Sequence, residues 1–207
     1  DFQIVGPRPF LMFGSLPAHL MAPWTSFTND TISKQVKMFP NRFAGACQLP
    51  QDPSAADASH CLPELNRCVE ELGFVAAYVS PDPGGLHDGP SLADPWWDPL
   101  YARCEELQIP IIVHGTTTRD CRLSEIPNNY QVSFVAEQYW ATQALSHGST
   151  FDRFPALKAI VCHCGGALDR FIPSDPHLSQ RDLTNHLFFD TCAHDLHFLE
   201  AAIKQRS

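Results

Sequence analysis

The chain has 207 residues, of which 44% are hydrophobic and 18% are charged, and its formal net charge is −9. This composition supplies enough apolar material for a sizeable core and excludes a disordered chain. The negative charge argues against a nucleic-acid partner, which requires a basic surface. No apolar run approaches the roughly 18 residues of a membrane-spanning helix, so we expect no membrane partner either.

Eight cysteines are spread along the chain: Cys47, Cys61, Cys68, Cys104, Cys121, Cys162, Cys164 and Cys192. A chain of this length can build its core without disulfides. Several of the cysteines lie in apolar segments, where a free thiol packs like a small hydrophobic side chain. No Cys-x-x-Cys pair is present, so no zinc ribbon is indicated. We therefore predict reduced thiols and a cytoplasmic location.

Segments typical of strands and of helices alternate along the chain. Ser54 and Asp57 have capping-box spacing ahead of the second helix, and Asp94 with Pro95 predicts the start of the third. Strands are predicted at residues 2–5, 43–47, 75–79, 111–114, 158–163 and 187–190, and helices at about 24–38, 62–72, 95–107, 130–147 and 195–203.

The alternation predicts an α/β fold with a parallel sheet, either a barrel or a doubly wound sheet. The strands are continuously apolar, which is typical of parallel strands covered on both faces. No Gly-x-Gly-x-x-Gly follows the first strand, so dinucleotide binding is not indicated. A (β/α)8 barrel takes about 250 residues. Since the sequence starts at Asp1 directly before a strand, we expect one barrel domain over residues 1–207 with its first and last strands outside this sequence.

Two histidines stand at matching places, each after an apolar strand and each followed by glycine: His114, and His163 in His-Cys-Gly-Gly. Ligands of parallel α/β folds bind at the carboxyl ends of strands. Imidazole is both a common metal ligand and an acid or base near neutral pH. The pair therefore predicts an active site, the alternative being two structural histidines. Strand alternation would point Cys162 and Cys164 away from the face that His163 uses, which disfavours a soft metal cluster.

Three further residues are candidates for substrate binding. Arg8 follows the first strand, and a guanidinium there would suit a substrate carboxylate, although an ordinary surface arginine is an equal alternative. His87 lies in a loop rich in proline and glycine and is either a substrate contact or, slightly preferred, solvated. His194 follows the last strand, and the same two alternatives, a substrate contact or a solvated side chain, apply to it equally.

Several motifs together resemble the amidohydrolase-related family that includes aminocarboxymuconate-semialdehyde decarboxylase. Within this family the chain is most similar to the 4-oxalomesaconate hydratases, through residues 6–8 (GPR), 81–87 (PDPGGLH) and 188–192 (FFDTC). The family motifs are residues 41–45 (NRFAG), 49–51 (LPQ), 64–69 (ELNRCV), 71–74 (ELGF), 111–114 (IIVH), 154–158 (FPALK) and 163–166 (HCGG).

The resemblance implies a TIM-type (β/α)8 barrel with one divalent metal ion, expected to be zinc. It implies that His114 is a metal ligand, that His163 is the neighbouring catalytic histidine, and that Arg8 binds a substrate carboxylate. Two family features are not in this sequence: a His-x-His on the first strand and an acidic metal ligand on the last. Cys164 also stands where the family often has glycine.

The resemblance also implies a reaction, the metal-assisted addition of water to an unsaturated oxo-tricarboxylate such as 4-oxalomesaconate, in aromatic acid catabolism. The alternatives are a decarboxylase of an aromatic or unsaturated acid, a C–C hydrolase of the same family, and a non-catalytic barrel remnant that acts as a binding module. The expected partner is a small carboxylate substrate. We also expect a homo-oligomer such as a dimer, for which exposed Trp96 and Trp97 would suit a subunit contact, although helix packing explains at least one of them.

Overall fold

The computed structural model describes residues 1–126, 129–168 and 182–206, with the side chains of 129 and 130 left aside. Its strands form one parallel sheet in the order β1-β2-β3-β4-β5-β6. A doubly wound sheet would reverse its strand order at a switch point, so this consecutive order identifies the sheet as part of a (β/α)8-type barrel, as predicted. The strands are β1 (Gln3–Val5), β2 (Phe43–Cys47), β3 (Ala76–Val79), β4 (Ile111–Val113), β5 (Ala159–Val161) and β6 (Leu187–Phe189).

The α-helices lie between or after the strands, as predicted, with differences at their ends. The first helix begins well before its predicted start and runs across Pro23, which removes only one backbone hydrogen bond from it. A short helix, too brief to show a periodic pattern, follows the fourth. The helices are α1 (Ala18–Met38), α2 (Leu62–Asn66), α3 (Asp98–Glu106), α4 (Asn129–His147), α5 (Thr150–Arg153) and α6 (Leu196–Arg206).

Side-chain caps fix the starts of the second and third helical segments. Asp94 accepts a hydrogen bond from the backbone N–H of Trp96, which confirms the predicted cap. The predicted capping box at Ser54 is wrong. Asp57 is itself the cap, because its carboxylate accepts from the N–H of Ser59 at the start of a 3₁₀ turn that leads into α2.

The two faces of the sheet bury different sets of side chains. Alternate strand residues such as Ala77, Val79 and Val113 pack with the helices in the main hydrophobic core. The intervening residues form a second cluster on the inner face, made of Ala46, Ala76, Ile112 and Cys162 with Tyr78 and Ile160 against it. Both faces are therefore apolar, as the continuous apolar strands predicted.

The tryptophan pair does not form an exposed surface. Trp97 is fully buried in the main core. Trp96 is half-buried, and its indole N–H donates to the carbonyl of Ala55 at 2.9 Å. The expected exposure of Trp97 is therefore wrong, because packing inside the domain buries it, as the alternative for at least one of the two allowed. A subunit contact through Trp96 and the homo-oligomer stay predictions. All eight cysteines are free thiols. Among the described residues, no helix combines the length and apolarity that crossing a membrane requires.

Candidate active site at the carboxyl ends of the strands

The two histidines singled out in the sequence meet in space. His114 directly follows β4 and His163 lies just beyond β5, and their ring centroids are 4.8 Å apart in an edge-to-face arrangement. Phe134 of α4 packs against the His114 ring at 5.1 Å and closes one side of the pair. The neighbouring parallel strands thus bring two imidazoles to one point at the carboxyl edge of the sheet, as predicted.

Hydrogen bonds orient both imidazoles. The Nδ1–H of His114 donates to the carbonyl oxygen of Gly115 at 2.7 Å, and the Nδ1–H of His163 donates to the amide oxygen of Gln138 at 3.0 Å. Each ring therefore keeps the lone pair on its Nε2, the arrangement found in metal ligands and general bases. Burial lowers the pKa of His114 to about 4 and also lowers that of His163. Both imidazoles are accordingly neutral at neutral pH.

A left-handed turn, rather than the strand, aims His163. His163, Cys164, Gly165 and Gly166 all have positive φ, between 49° and 82°. β5 ends at Val161, whose side chain faces the helices, and continued alternation would send His163 to that same face. The turn redirects it toward His114. The prediction that strand alternation points Cys162 and Cys164 away from the face used by His163 is therefore wrong. Cys162 packs on the inner face of the sheet, and Cys164 lies within the turn.

His194 and Cys192 lie beside His163. The ring centroids of His194 and His163 are 6.3 Å apart, and the Cys192 thiol is 3.7 Å from Nε2 of His194. One donor atom from each of these three side chains lies within 4.8 Å of the others, so the group could hold a metal ion. Asp190 fixes this region, because its Oδ1 accepts from the N–H groups of both Cys164 and Cys192.

His194 was a predicted site residue, whereas Cys192 was not. Cys192 could have been predicted from the Cys-x-His spacing directly after the last strand, because this spacing puts a thiol and an imidazole in one loop. His114, predicted as the metal ligand, is outside this three-residue group but in ring contact with His163. The roles assigned to His114, His163 and His194 stay predictions.

Arg8 and His87 lie in different surroundings. Arg8 is exposed after β1, and its guanidinium carbon lies 5.1 Å from the centre of the Phe10 ring. The His87 side chain is only 12% exposed, with Nε2 at 3.6 Å from Asp82 and Nδ1 at 3.6 Å from Asp120. The preferred interpretation of a solvated His87 is thus wrong, because the loop folds it inward against carboxylates. A substrate role for either residue stays a prediction.

The turn that aims His163 depends on Gly166. This residue has φ 82°, and a Cβ added there would lie 2.4 Å from backbone atoms of Tyr139 and Val135 in α4. We expect Gly166→Ala to lower the free energy of unfolding by about 3 to 5 kcal/mol, the sum of left-handed strain and overpacking. Urea denaturation measures this loss.

Gly73 provides the matched control. It has φ 72°, but a Cβ there would meet no atom within 4 Å, so only the backbone strain applies. We expect Gly73→Ala to cost about 1 to 2 kcal/mol. Equal losses in the two variants would contradict the proposed contact between the turn and α4.

Comparison with known proteins gives consistent matches. Residues 11–205 match the family model described as Amidohydrolase. Over 204 residues the chain is 36% identical to the 2-keto-4-carboxy-3-hexenedioate hydratase of Sphingobium sp., an alignment that covers 94% of this chain and 58% of that protein.

Solved structures show the same fold. The crystal structure of 4-oxalomesaconate hydratase from Rhodopseudomonas palustris has a TM-score of 0.81 and 29% identity, over 99% of this chain and 58% of that one. The dihydroxybenzoic acid decarboxylase from Polaromonas sp., solved with bound manganese and the inhibitor 2-nitroresorcinol, has a TM-score of 0.72 and 20% identity, over 96% and 65% of the two chains. The chain therefore spans 58% of the length of each of the two hydratases.

Proposed function

The chain belongs to the amidohydrolase family, and from that premise we propose that it acts as a metal-dependent hydratase. The proposed reaction adds water to the double bond of an unsaturated oxo-tricarboxylate such as 4-oxalomesaconate. The observation that supports it most is the 36% identity to a hydratase, which extends over 94% of the chain and includes both strand-end histidines within its 204 residues.

The residues of this site fit a divalent metal ion. His114 and His163 present unprotonated Nε2 atoms fixed by hydrogen bonds through Nδ1, and burial keeps both rings neutral. In our proposal His114 is a ligand, and Cys192 and His194 offer further donor atoms nearby. The ion, which we propose to be zinc, would polarise a substrate carbonyl or lower the pKa of a bound water.

The chain's own side chains then carry the proton and hold the substrate. In the net reaction, water adds hydroxide to one alkene carbon and a proton to the other. His163 is the proposed proton carrier: its Nε2 accepts a proton from water and returns it to the second carbon. Gln138 holds the His163 ring in position through Nδ1. Arg8 and His194 are the proposed contacts to the carboxylates of the substrate, with Arg8 the better suited because its fork matches two oxygens.

A decarboxylase that uses the same residues is the second candidate. It is favoured by the 29% identity to the 2-amino-3-carboxymuconate-6-semialdehyde decarboxylase of Dictyostelium discoideum, over 81% of this chain and 45% of that protein. A metal-loaded centre with a histidine beside it serves both reactions, because each requires polarisation of a carboxylate or carbonyl and transfer of one proton to carbon. The residues at the site are therefore compatible with either, and product analysis separates them.

The deciding experiment follows the products of 4-oxalomesaconate. The purified protein is loaded with Zn²⁺ and incubated with this substrate, while proton NMR records the products and a coupled assay records CO₂. We expect water addition without CO₂ release. Release of CO₂ would favour the decarboxylase, and cleavage into two fragments would favour a C–C hydrolase. Absence of any turnover by folded, metal-loaded protein would contradict an enzyme and favour a non-catalytic binding module.

We further propose a cytoplasmic protein that works as a homo-oligomer such as a dimer. Eight free cysteines, six of them buried, support a reducing compartment. Sedimentation measures the oligomeric state directly, and a monomer at micromolar concentration would contradict that part of the proposal.

A further inference from the structure

A second cluster of ionisable side chains shares no residue with the group around His163. Asp82 and His87 belong to the loop after β3, and Glu137 belongs to α4. One donor atom from each lies within 4.8 Å of the other two. Because the three residues come from two separate parts of the chain, packing of the loop against the helix creates the cluster.

Asp82 offers an unused oxygen inside this cluster. The residue is only 4% exposed, and its Oδ2 accepts from the N–H of His87 at 2.9 Å. In the part of the chain that the structure describes, no donor reaches its Oδ1, and the Nε2 of His87 has no hydrogen-bond partner either. Asp82, His87 and Trp140 line a cavity of about 190 Å³, which gives room for an ion and its water. A buried carboxylate oxygen without a partner costs free energy unless something else satisfies it.

Glu137 adds a second buried carboxylate. It is fully buried, with Oε1 accepting from the hydroxyl of Ser133 and Oε2 from the N–H of Thr116 at 2.9 Å. Each carboxylate oxygen of Glu137 therefore retains one lone pair that could bind a metal ion. Among residues 1–126, 129–168 and 182–206, no lysine or arginine forms an ion pair with Glu137 or Asp82. Burial raises the pKa of Glu137 to about 8 and also raises that of Asp82, so at neutral pH a proton, rather than a basic side chain, neutralises Glu137, and a bound cation could take the place of that proton.

We propose that Asp82, His87 and Glu137 form a binding site for a divalent transition-metal ion of the Zn²⁺ class, separate from the metal of the proposed active site. One imidazole nitrogen and two carboxylate oxygens are the donor set that such ions prefer. Around a tetrahedral ion, ligand atoms are about 3.4 Å apart, and the donor atoms here lie within 4.8 Å of one another, so they need to approach one another by at most about 1.4 Å when the ion binds. Water in the cavity completes the coordination.

The bound ion would link the loop after β3 to α4, because it would have ligands in both. Residue 138, next to Glu137 on this helix, holds the ring of His163. The site therefore stabilises the helix that positions the active-site histidine, and it does so whichever reaction the protein catalyses. The proposal does not depend on the proposed function.

Cobalt binding tests the proposal in a variant that lacks the competing donors. The triple variant His114→Asn/Cys192→Ser/His194→Asn removes the proposed ligand of the active-site metal and two of the three donors of the group around His163. Titration with Co²⁺ by calorimetry and visible absorption is expected to show one tight site per chain. Binding is expected to release protons at neutral pH, because the buried carboxyl group of Glu137 must ionise to bind the ion. No uptake of Co²⁺ up to millimolar concentration would overturn the proposal.

Two further substitutions in this background locate the ion. Asp82→Asn is expected to weaken Co²⁺ binding at least tenfold, whereas Asp88→Asn, an exposed carboxylate in the same loop, is expected to leave it within twofold. Equal affinities for these two variants would overturn the proposal. Glu137→Gln is isosteric and keeps its backbone contact, so it provides a second ligand variant should Asp82→Asn fail to fold. Unchanged affinity in folded Glu137→Gln would also overturn the proposal.

Discussion

Replacement of His163 with asparagine is expected to lower kcat/KM by 10² to 10⁴-fold in whichever reaction the product analysis identifies. This is the usual contribution of a positioned general acid or base. The asparagine amide can still donate to Gln138, as the Nδ1–H of His163 does at 3.0 Å, but it cannot carry a proton near neutral pH. Steady-state kinetics of the Zn²⁺-loaded variant provide the measurement.

His197→Asn is the matched control for this variant. His197 lies on α6 with an exposed side chain, outside the group around His163. Its replacement is expected to leave kcat/KM within twofold. A loss of less than tenfold in His163→Asn, with its metal content and circular dichroism unchanged, would remove His163 from the proposed proton transfer.

The pH dependence of stability should change when Glu137 becomes glutamine. Burial raises the pKa of folded Glu137 to about 8, against about 4.3 for a glutamate in an unfolded chain. The folded state therefore binds more protons between these values, so this group's contribution is complete below pH 4.3 and is lost as the pH rises through 8. Over the whole range this loss is on the order of 5 kcal/mol, and it is absent in Glu137→Gln because glutamine does not ionise.

Urea denaturation of metal-free protein between pH 5 and about 8.5, in the presence of EDTA, measures this effect. The free energy of unfolding of the wild type is expected to fall with pH relative to that of Glu137→Gln. Glu125→Gln, at an exposed position, controls for the loss of one surface carboxylate. Parallel curves for wild type and Glu137→Gln would show that Glu137 is ionised in both folded and unfolded states over this range.

Glu137 takes part both in the proposed metal site and in the expected pH dependence of stability. Without metal, protons neutralise Glu137, and ionisation in the buried site destabilises the fold. With a divalent ion, the carboxylate is neutralised by the ion, so added Zn²⁺ should stabilise the wild type most at high pH. Such a difference between metal-free and metal-loaded protein would be absent in Glu137→Gln.

Local sequence patterns were sufficient to predict the order of strands and helices, the apolar faces of the strands, the Asp94 cap and the two histidines at strand ends. These features depend on neighbouring residues, because side-chain periodicity and turn chemistry act over a few positions along the chain. The parallel sheet then brings the ends of adjacent strands together, so the meeting of His114 and His163 could be predicted without coordinates.

Packing of the folded chain determines which distant side chains share one environment. The left-handed turn overrode strand alternation and aimed His163 at its partner. Loop packing folded His87 inward beside Asp82 and brought both to Glu137, and helix packing buried Trp97. No local pattern encodes these contacts, because each depends on how a loop or helix is placed against a segment far away in the chain.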